Sequence, residues 1–209
     1  MCIVALIMAG GKGTRFARDI EKPMAIFNGK PLIRRVIEAT QESERIKETY
    51  VAITATSPRT AEEAKKESVK VILTAGKGYH EDLQQAIKDA KLACPVLIIS
   101  ADLPLLSGEF LDEIIKKYIQ SEKPALTVMI PEEVFHKYGI SAVSLYEFNG
   151  RMYAVSGINI MDGQRILEEQ EQEVVISSRP EAVFTINSQK DLEIAKNYLI
   201  HKGSKQNKD

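Results

Sequence analysis

Short apolar runs rich in β-branched residues alternate with stretches of helical periodicity along almost the whole chain, and this alternation most restricts the fold. Runs at Cys2–Met8, Tyr50–Thr54, Val69–Leu73, Val96–Ser100, Ala125–Ile130, Val155–Ile160 and Ala182–Ile186 read as strands. Between them, Leu32, Ile33, Val36 and Ile37 form one buried helical face, Leu83, Ala86, Ile87 and Ala90 a second, and Phe110, Leu111, Ile114, Ile115 and Tyr118 a third. A fourth helix, Leu192 to Leu199, closes the pattern. The order predicts an α/β protein: a three-layer α/β/α sandwich around a mostly parallel, mixed central sheet, Rossmann-like in arrangement. The alternation breaks where Val143–Phe148, Asn149-Gly150 and Arg151–Val155 read as a β-hairpin with a type I′ turn.

With 209 residues, 44% of them hydrophobic, the chain fits one domain, expected over residues 1–201. The polar stretch Lys202 to Asp209 has no apolar face and is expected to be a disordered tail. The 28 basic and 29 acidic residues nearly cancel, so no overall field favours nucleic acid or an anionic membrane, and any basic site must be local. No run is long enough for a membrane span, and Cys2 to Ala9 lacks the basic leader of a secretory signal. Cys2 and Cys94 make no CxxC pair or disulfide framework, which suits the cytoplasm.

The first run ends at Met8 in Ala9-Gly10-Gly11-Lys12-Gly13-Thr14-Arg15. A glycine-rich turn at a strand's end lets backbone N–H groups approach phosphates, and Lys12, Arg15 and the nearby Lys22 supply charge. The spacing fits neither a Walker A loop, where Ser or Thr follows Lys directly, nor a dinucleotide fingerprint, where Phe16 would have to be glycine. The loop therefore reads as a nucleoside triphosphate site of another class.

In open α/β sheets ligands bind beyond the carboxyl ends of the strands, so the polar residues there are candidates. Asp102 follows Val96–Ser100 and is expected to hold Mg²⁺ on a bound phosphate. Gly76-Lys77-Gly78-Tyr79, opening the helix that carries Asp82, suits close approach by a flat base or serves the turn alone. Ser188 with Asp191 resembles a capping box; Asn187 either joins that cap or contacts a metal or phosphate. Gly157 marks either a β-bulge or a close ligand approach. His80, His136 and His201 have no metal-ligand spacing, and Gly-x-Ser-x-Gly and HExxH motifs are absent.

Taken together, AGGKGTR, Glu21-Lys22-Pro23 and the strand-end Asp102 resemble the nucleotidyltransferases of glycosyltransferase-A type, including the molybdenum cofactor guanylyltransferases. Ala55-Thr56-Ser57-Pro58, Gly76 to Tyr79 with Glu81-Asp82-Leu83, Val128 to Pro131, Gly157-Ile158-Asn159 and Ile186-Asn187 are similar to archaeal guanylyltransferases acting on adenosylcobinamide phosphate. The resemblance implies a nucleotidyltransferase fold and transfer of GMP from GTP to a corrinoid phosphate, with release of pyrophosphate, in cobalamin biosynthesis. It implies that Met8 to Arg15 and Lys22 bind the GTP phosphates, and that Gly76 to Tyr79, with Asp82, face guanine. It also puts Arg15, Lys22, Asp102, Gly157 and Asn187 at the reacting phosphates, with Mg²⁺ on Asp102 and Asn187, and admits a homodimer. The hairpin is expected to shape the acceptor side. Ser156 departs from the pattern, where a smaller residue is expected before the glycine. Other nucleotidyltransferases, with a pterin, phospholactate or sugar phosphate as acceptor, and a GTP-binding module without turnover remain alternatives.

Overall fold

Successive side chains of β1 (Ile3–Met8) are buried on alternate faces: Ile3, Ala5 and Ile7 enter one hydrophobic cluster, Val4 and Leu6 another. A strand with both faces buried needs a layer on each side, which is the physical origin of the sandwich. The computed structural model describes residues 2–11, 16, 20–140, 142 and 144–206. After β1, a small ribbon of β2 (Ile26–Phe27) and β3 (Lys30–Pro31) leads to α1 (Leu32–Glu42), β4 (Ile46–Thr54), α2 (Pro58–Lys65) and β5 (Lys70–Thr74). Then come α3 (Tyr79–Asp89), β6 (Pro95–Ser100), α4 (Gly108–Ser121), β7 (Ala125–Pro131) and α5 (Glu132–Tyr138). The chain finishes with β8 (Leu145–Phe148), β9 (Arg151–Asp162), β10 (Gln172–Ile176), α6 (Pro180–Val183) and α7 (Gln189–Gln206).

The main sheet has eight strands in the order β10-β7-β9-β6-β1-β4-β5, with β8 paired to β9. Pairings of β1 with β4 and β6, of β4 with β5 and of β7 with β10 are parallel, whereas β9 runs antiparallel to β6, β7 and β8. The sheet is thus mostly parallel and mixed, as expected. The larger cluster packs the apolar faces of α1, α4, α6 and α7 on one side; α3 contributes Leu83, Ala86 and Ile87 to the smaller cluster on the other.

The hairpin forms with Phe148 opposite Arg151, and Asn149 (φ 50°) with Gly150 (φ 74°) supplies the two left-handed residues of a type I′ turn. Its expected start, Val143, lies outside the described residues. The run Ala182–Ile186 is not a strand. Pro180 starts the short helix α6, and Ala182, Val183, Phe184 and Ile186 are fully buried as a plug against the sheet. A short apolar run does not distinguish buried strand from buried helix by periodicity. The edge position belongs to β10, whose ends, Gln172 and Ile176, are exposed. Helix α7 continues through Gln206, past Lys202 where a disordered tail was expected, because extending a formed helix through Lys and Gln costs little; residues 207–209 lie outside the described residues.

Candidate active site

Two clefts open beyond the carboxyl ends of the strands, and they share Tyr79, Ser100 and Asp102. The first, about 480 Å³, is lined by Met8, Ala9, Gly10, Gly11, Lys22, Gly76, Lys77, Gly78, Tyr79, Asp82 and Asp102, so the expected nucleotide-binding residues are brought together. Lys12, Gly13, Thr14 and Arg15 lie outside the described residues.

The glycine loop is held by its neighbour strands before any ligand arrives. Ala9 N–H donates to the Ala52 carbonyl (2.8 Å), and Ala101 N–H donates to the Met8 carbonyl (3.2 Å). A Cβ on Gly10 would lie 2.7 Å from Thr54 Cγ2 and 3.1 Å from Thr54 N, whereas one on Gly11 would meet nothing within 4 Å. Gly10 is therefore needed for packing against β4, and Gly11 leaves open space. The Thr54 hydroxyl donates to the Gly10 carbonyl (3.0 Å), so the Thr56 hydroxyl, 2.9 Å away, must donate to Thr54.

Lys22 is fixed by a residue whose role was not read from the sequence. The Glu21 carboxylate accepts from Arg59 N–H (2.9 Å), Thr60 N–H (2.7 Å) and the Thr60 hydroxyl (2.6 Å), capping the first turn of α2 from a distant segment. That clamp seats the turn Lys22–Met24, and Lys22 Nζ donates to Asp102 Oδ2 in an ion pair. Asp102 lies two residues beyond the end of β6, is 7% exposed, and its carbonyl accepts from Ile186 N–H (2.9 Å). Glutamate directly before Lys-Pro was the signal available, but its partners lie 38 and 39 residues away.

Tyr79 stands at the boundary between the clefts. Desolvation, foremost, and the Asp102 carboxylate push its phenol up to about 12. The residue as a whole is still 46% exposed. Tyr79 thus remains a neutral hydrogen-bond donor at physiological pH.

The second cleft, about 690 Å³, lies over the side of β6, β9 and β7 that faces away from the larger cluster. Gly157 and Asn187 line it, together with Thr127, Met129, Asn159 and Met161 from the strands and Ser144, Tyr146 and Val155 at the hairpin. Gly157 (φ +82°) lies at a bulge: the β7–β9 register slips beside it, and a Cβ there would lie 2.9 Å from Ser100 Cβ, so the close neighbour is the protein's own β6. Ser156, the departure from the family pattern, is fully buried, its hydroxyl accepting from Ile158 N–H (3.2 Å). Helix α7 is capped without the Asn187 side chain: Asp191 N–H donates to the Ser188 hydroxyl (3.2 Å), and that hydroxyl donates to Asp191 Oδ2 (2.8 Å). Asn187 contributes its backbone N–H to Asp191, and its side-chain amide donates to the Thr185 hydroxyl (3.2 Å). Thr127 and Asn159 were missed as site residues; the Thr127 hydroxyl donates to Asn159 Oδ1 (2.7 Å) on the cleft floor.

Residues 5–174 match the family described as MobA-like NTP transferase domain. The chain belongs to that family. It is a nucleotidyltransferase, and this MobA-like transferase is 34% identical over 209 residues to an adenosylcobinamide-phosphate guanylyltransferase from Methanocaldococcus jannaschii, covering 95% of this chain and 98% of the relative. It is 25% identical to a probable molybdenum cofactor guanylyltransferase from Thermococcus kodakarensis, over 91% of this chain and 92% of the relative. Solved structures agree on the fold: a CMP:2-keto-3-deoxy-manno-octonic acid synthetase superposes with a TM-score of 0.71 at 14% identity, covering 97% of this chain and 100% of that one. A 4-diphosphocytidyl-2C-methyl-D-erythritol synthase from Anaerococcus prevotii gives 0.69 at 14% identity, covering 95% and 96%. Among the described residues, no helix is long and apolar enough to cross a membrane.

Proposed function

We propose that this MobA-like transferase is a guanylyltransferase that moves GMP from GTP to adenosylcobinamide phosphate and releases pyrophosphate in the cytoplasm. The observation that carries the reading is the meeting of the two clefts at Asp102, with Lys22 beside it: one cleft suits a nucleotide, and the larger one takes a bulky phosphorylated acceptor. The full-length similarity to the Methanocaldococcus jannaschii enzyme supports this choice of acceptor.

In this reaction an acceptor phosphate oxygen forms a bond to the α-phosphorus of GTP as the bond to the pyrophosphate oxygen breaks. The acceptor phosphate is ionised at neutral pH, so no side chain has to remove a proton. The enzyme's task is to bring two anions together, and Lys22 offsets charge on the departing pyrophosphate, joined in this reading by Lys12 and Arg15. The backbone around Gly10 and Gly11 receives the phosphates. Gly157 lets β9 pass close to Ser100, which lines both clefts, and Tyr79 donates from the boundary.

Magnesium fits the residues present. The Asp102 carboxylate and the Asn187 amide oxygen are hard oxygen donors, Asn187 is not consumed by the helix cap, and Mg²⁺ favours one or two protein ligands with substrate phosphates. When bound it would neutralise phosphate charge. A molybdenum cofactor acceptor is the second reading, favoured by the Thermococcus kodakarensis relative. Pyrophosphate release from GTP and Mg²⁺ with cobinamide phosphate, molybdopterin or phospholactate, offered separately, tests both. Turnover with cobinamide phosphate alone supports the proposal, turnover with molybdopterin alone selects the second reading, and GTP binding without turnover on any of the three overturns both choices of acceptor.

A further inference from the structure

The two glycine loops of the nucleotide cleft differ in what their N–H groups do. In the loop after β5, Gly76 N–H (2.9 Å) and Lys77 N–H (3.2 Å) both donate to Asp82 Oδ1, and Ala75 N–H donates to Gln85 Oε1 (2.9 Å). Gly76 has φ +71°, the left-handed conformation that lets successive N–H groups converge on one anion. The anion in this nest is a carboxylate of the protein's own helix α3, 8% exposed, so the loop is not waiting for a phosphate.

We infer that Asp82, assisted by Gln85, is a positioning residue for base selection, holding the loop so that it presents carbonyl oxygens to the nucleotide. Within a planar trans peptide the C=O points opposite to the N–H. Because Gly76 N–H and Lys77 N–H are drawn to α3, the carbonyls of Ala75 and Gly76 are aimed away from it. Among the described residues, no donor reaches either carbonyl, and both residues line the nucleotide cleft. Two adjacent acceptors suit a base that offers adjacent donors. Guanine does so with N1–H and its 2-amino group; adenine presents an acceptor at N1. An adenine base would set lone pair against lone pair and leave the carbonyls unpaired, which is the strong form of discrimination.

The inference rests on the guanylyl-transfer reading, and nucleotide competition separates the two. Values of kcat/KM for GTP, ITP and ATP are measured with a fixed acceptor for the wild type, Asp82→Asn, Asp82→Ala and Gln85→Ala, with thermal melting of each. The wild type is expected to rank GTP above ITP, which lacks the 2-amino group, and ITP above ATP. Asp82→Ala is expected to lower the GTP-to-ATP ratio by about 10- to 100-fold, the loss falling on KM for GTP more than on kcat. Asp82→Asn keeps an oxygen for the nest and should restore the ratio to within about threefold of wild type. Gln85→Ala, with one N–H released, should lower it by a smaller factor and serves if Asp82→Ala does not fold. An unchanged ratio in Asp82→Ala, or in Gln85→Ala where only that variant folds, overturns the inference alone. So does an equal loss on all three nucleotides that Asp82→Asn fails to rescue. A wild type that uses ATP as well as GTP overturns the guanylyl-transfer reading together with it.

Discussion

The nucleotide cleft is made largely of backbone, and the acceptor cleft largely of side chains. On the first side, Gly10 packs against Thr54, Gly76 adopts a positive φ, and the residues that matter serve mainly to hold loops in place. On the second side the floor is the face of a sheet, where Thr127 and Asn159 stand among Met129 and Met161. Phosphates and a purine are small and constant, so a fixed backbone suffices for them. A bulky acceptor must be matched by side chains, which can change without disturbing the fold.

Substitutions at the junction should affect catalysis most. Lys22→Ala is expected to lower kcat by on the order of 100-fold or more, because its cation acts as charge builds on pyrophosphate. Pyrophosphate release at saturating GTP and acceptor measures this, and a wild-type kcat would remove Lys22 from the reaction. On the acceptor side, Gly157→Ala forces a Cβ against Ser100 at a left-handed position and should destabilise the protein by about 1–3 kcal/mol in urea unfolding.

The backbone-against-side-chain contrast is sharpened by pairs of milder changes. Gly10→Ala should lower the melting temperature, since Thr54 already fills the space. Gly11→Ala should leave it unchanged yet raise KM for GTP by about tenfold, because the open space above Gly11 is where the phosphates are read to lie. Asn159→Ala should raise KM for the acceptor by about three- to tenfold, leaving KM for GTP alone. A shift in KM for GTP instead would break the division between the clefts.

The smallest effect belongs to a pair outside the residues lining either cleft. Desolvation, the largest single influence on Glu181, opposes its charge, but the hydrogen bonds from Arg179, a backbone hydrogen bond and the charges of Arg179 and Lys202 together hold its carboxyl below the usual range. A lowered native pKa stabilises above the unfolded value, near 4.5, and that stability is lost as pH falls through the native value. Glu181→Gln should therefore cost under about 1 kcal/mol at pH 7, and nothing in acid below the native pKa, by unfolding across pH. The pH profile of turnover should not change.

What was legible in the sequence divides along the same line. The loop after β1 and Asp102 announce themselves because glycines at strand ends, and a carboxylate directly after an apolar run, have few other reasons to be there. Thr127 and Asn159 do not, since one polar residue in a strand reads as an ordinary outward position. Glu21 stood out beside Lys22-Pro23, but its role was not legible because its cap is formed with a helix far along the chain. The stretch Ala182–Ile186 misled because its burial is real, but its hydrogen bonds are not those of a sheet ladder.

Among the described residues, α3 is the one helix whose apolar face enters the smaller cluster, and the loop that opens it lines the nucleotide cleft. A layer of one helix is held by fewer buried contacts than the opposite layer, so its amide protons should exchange with solvent through smaller openings than those of α1 or α4. Nucleotide seated on the loop adds its binding free energy to closing those openings. Deuterium uptake along α3 would then fall as GTP is added, reporting occupancy from a part of the protein that never touches a phosphate.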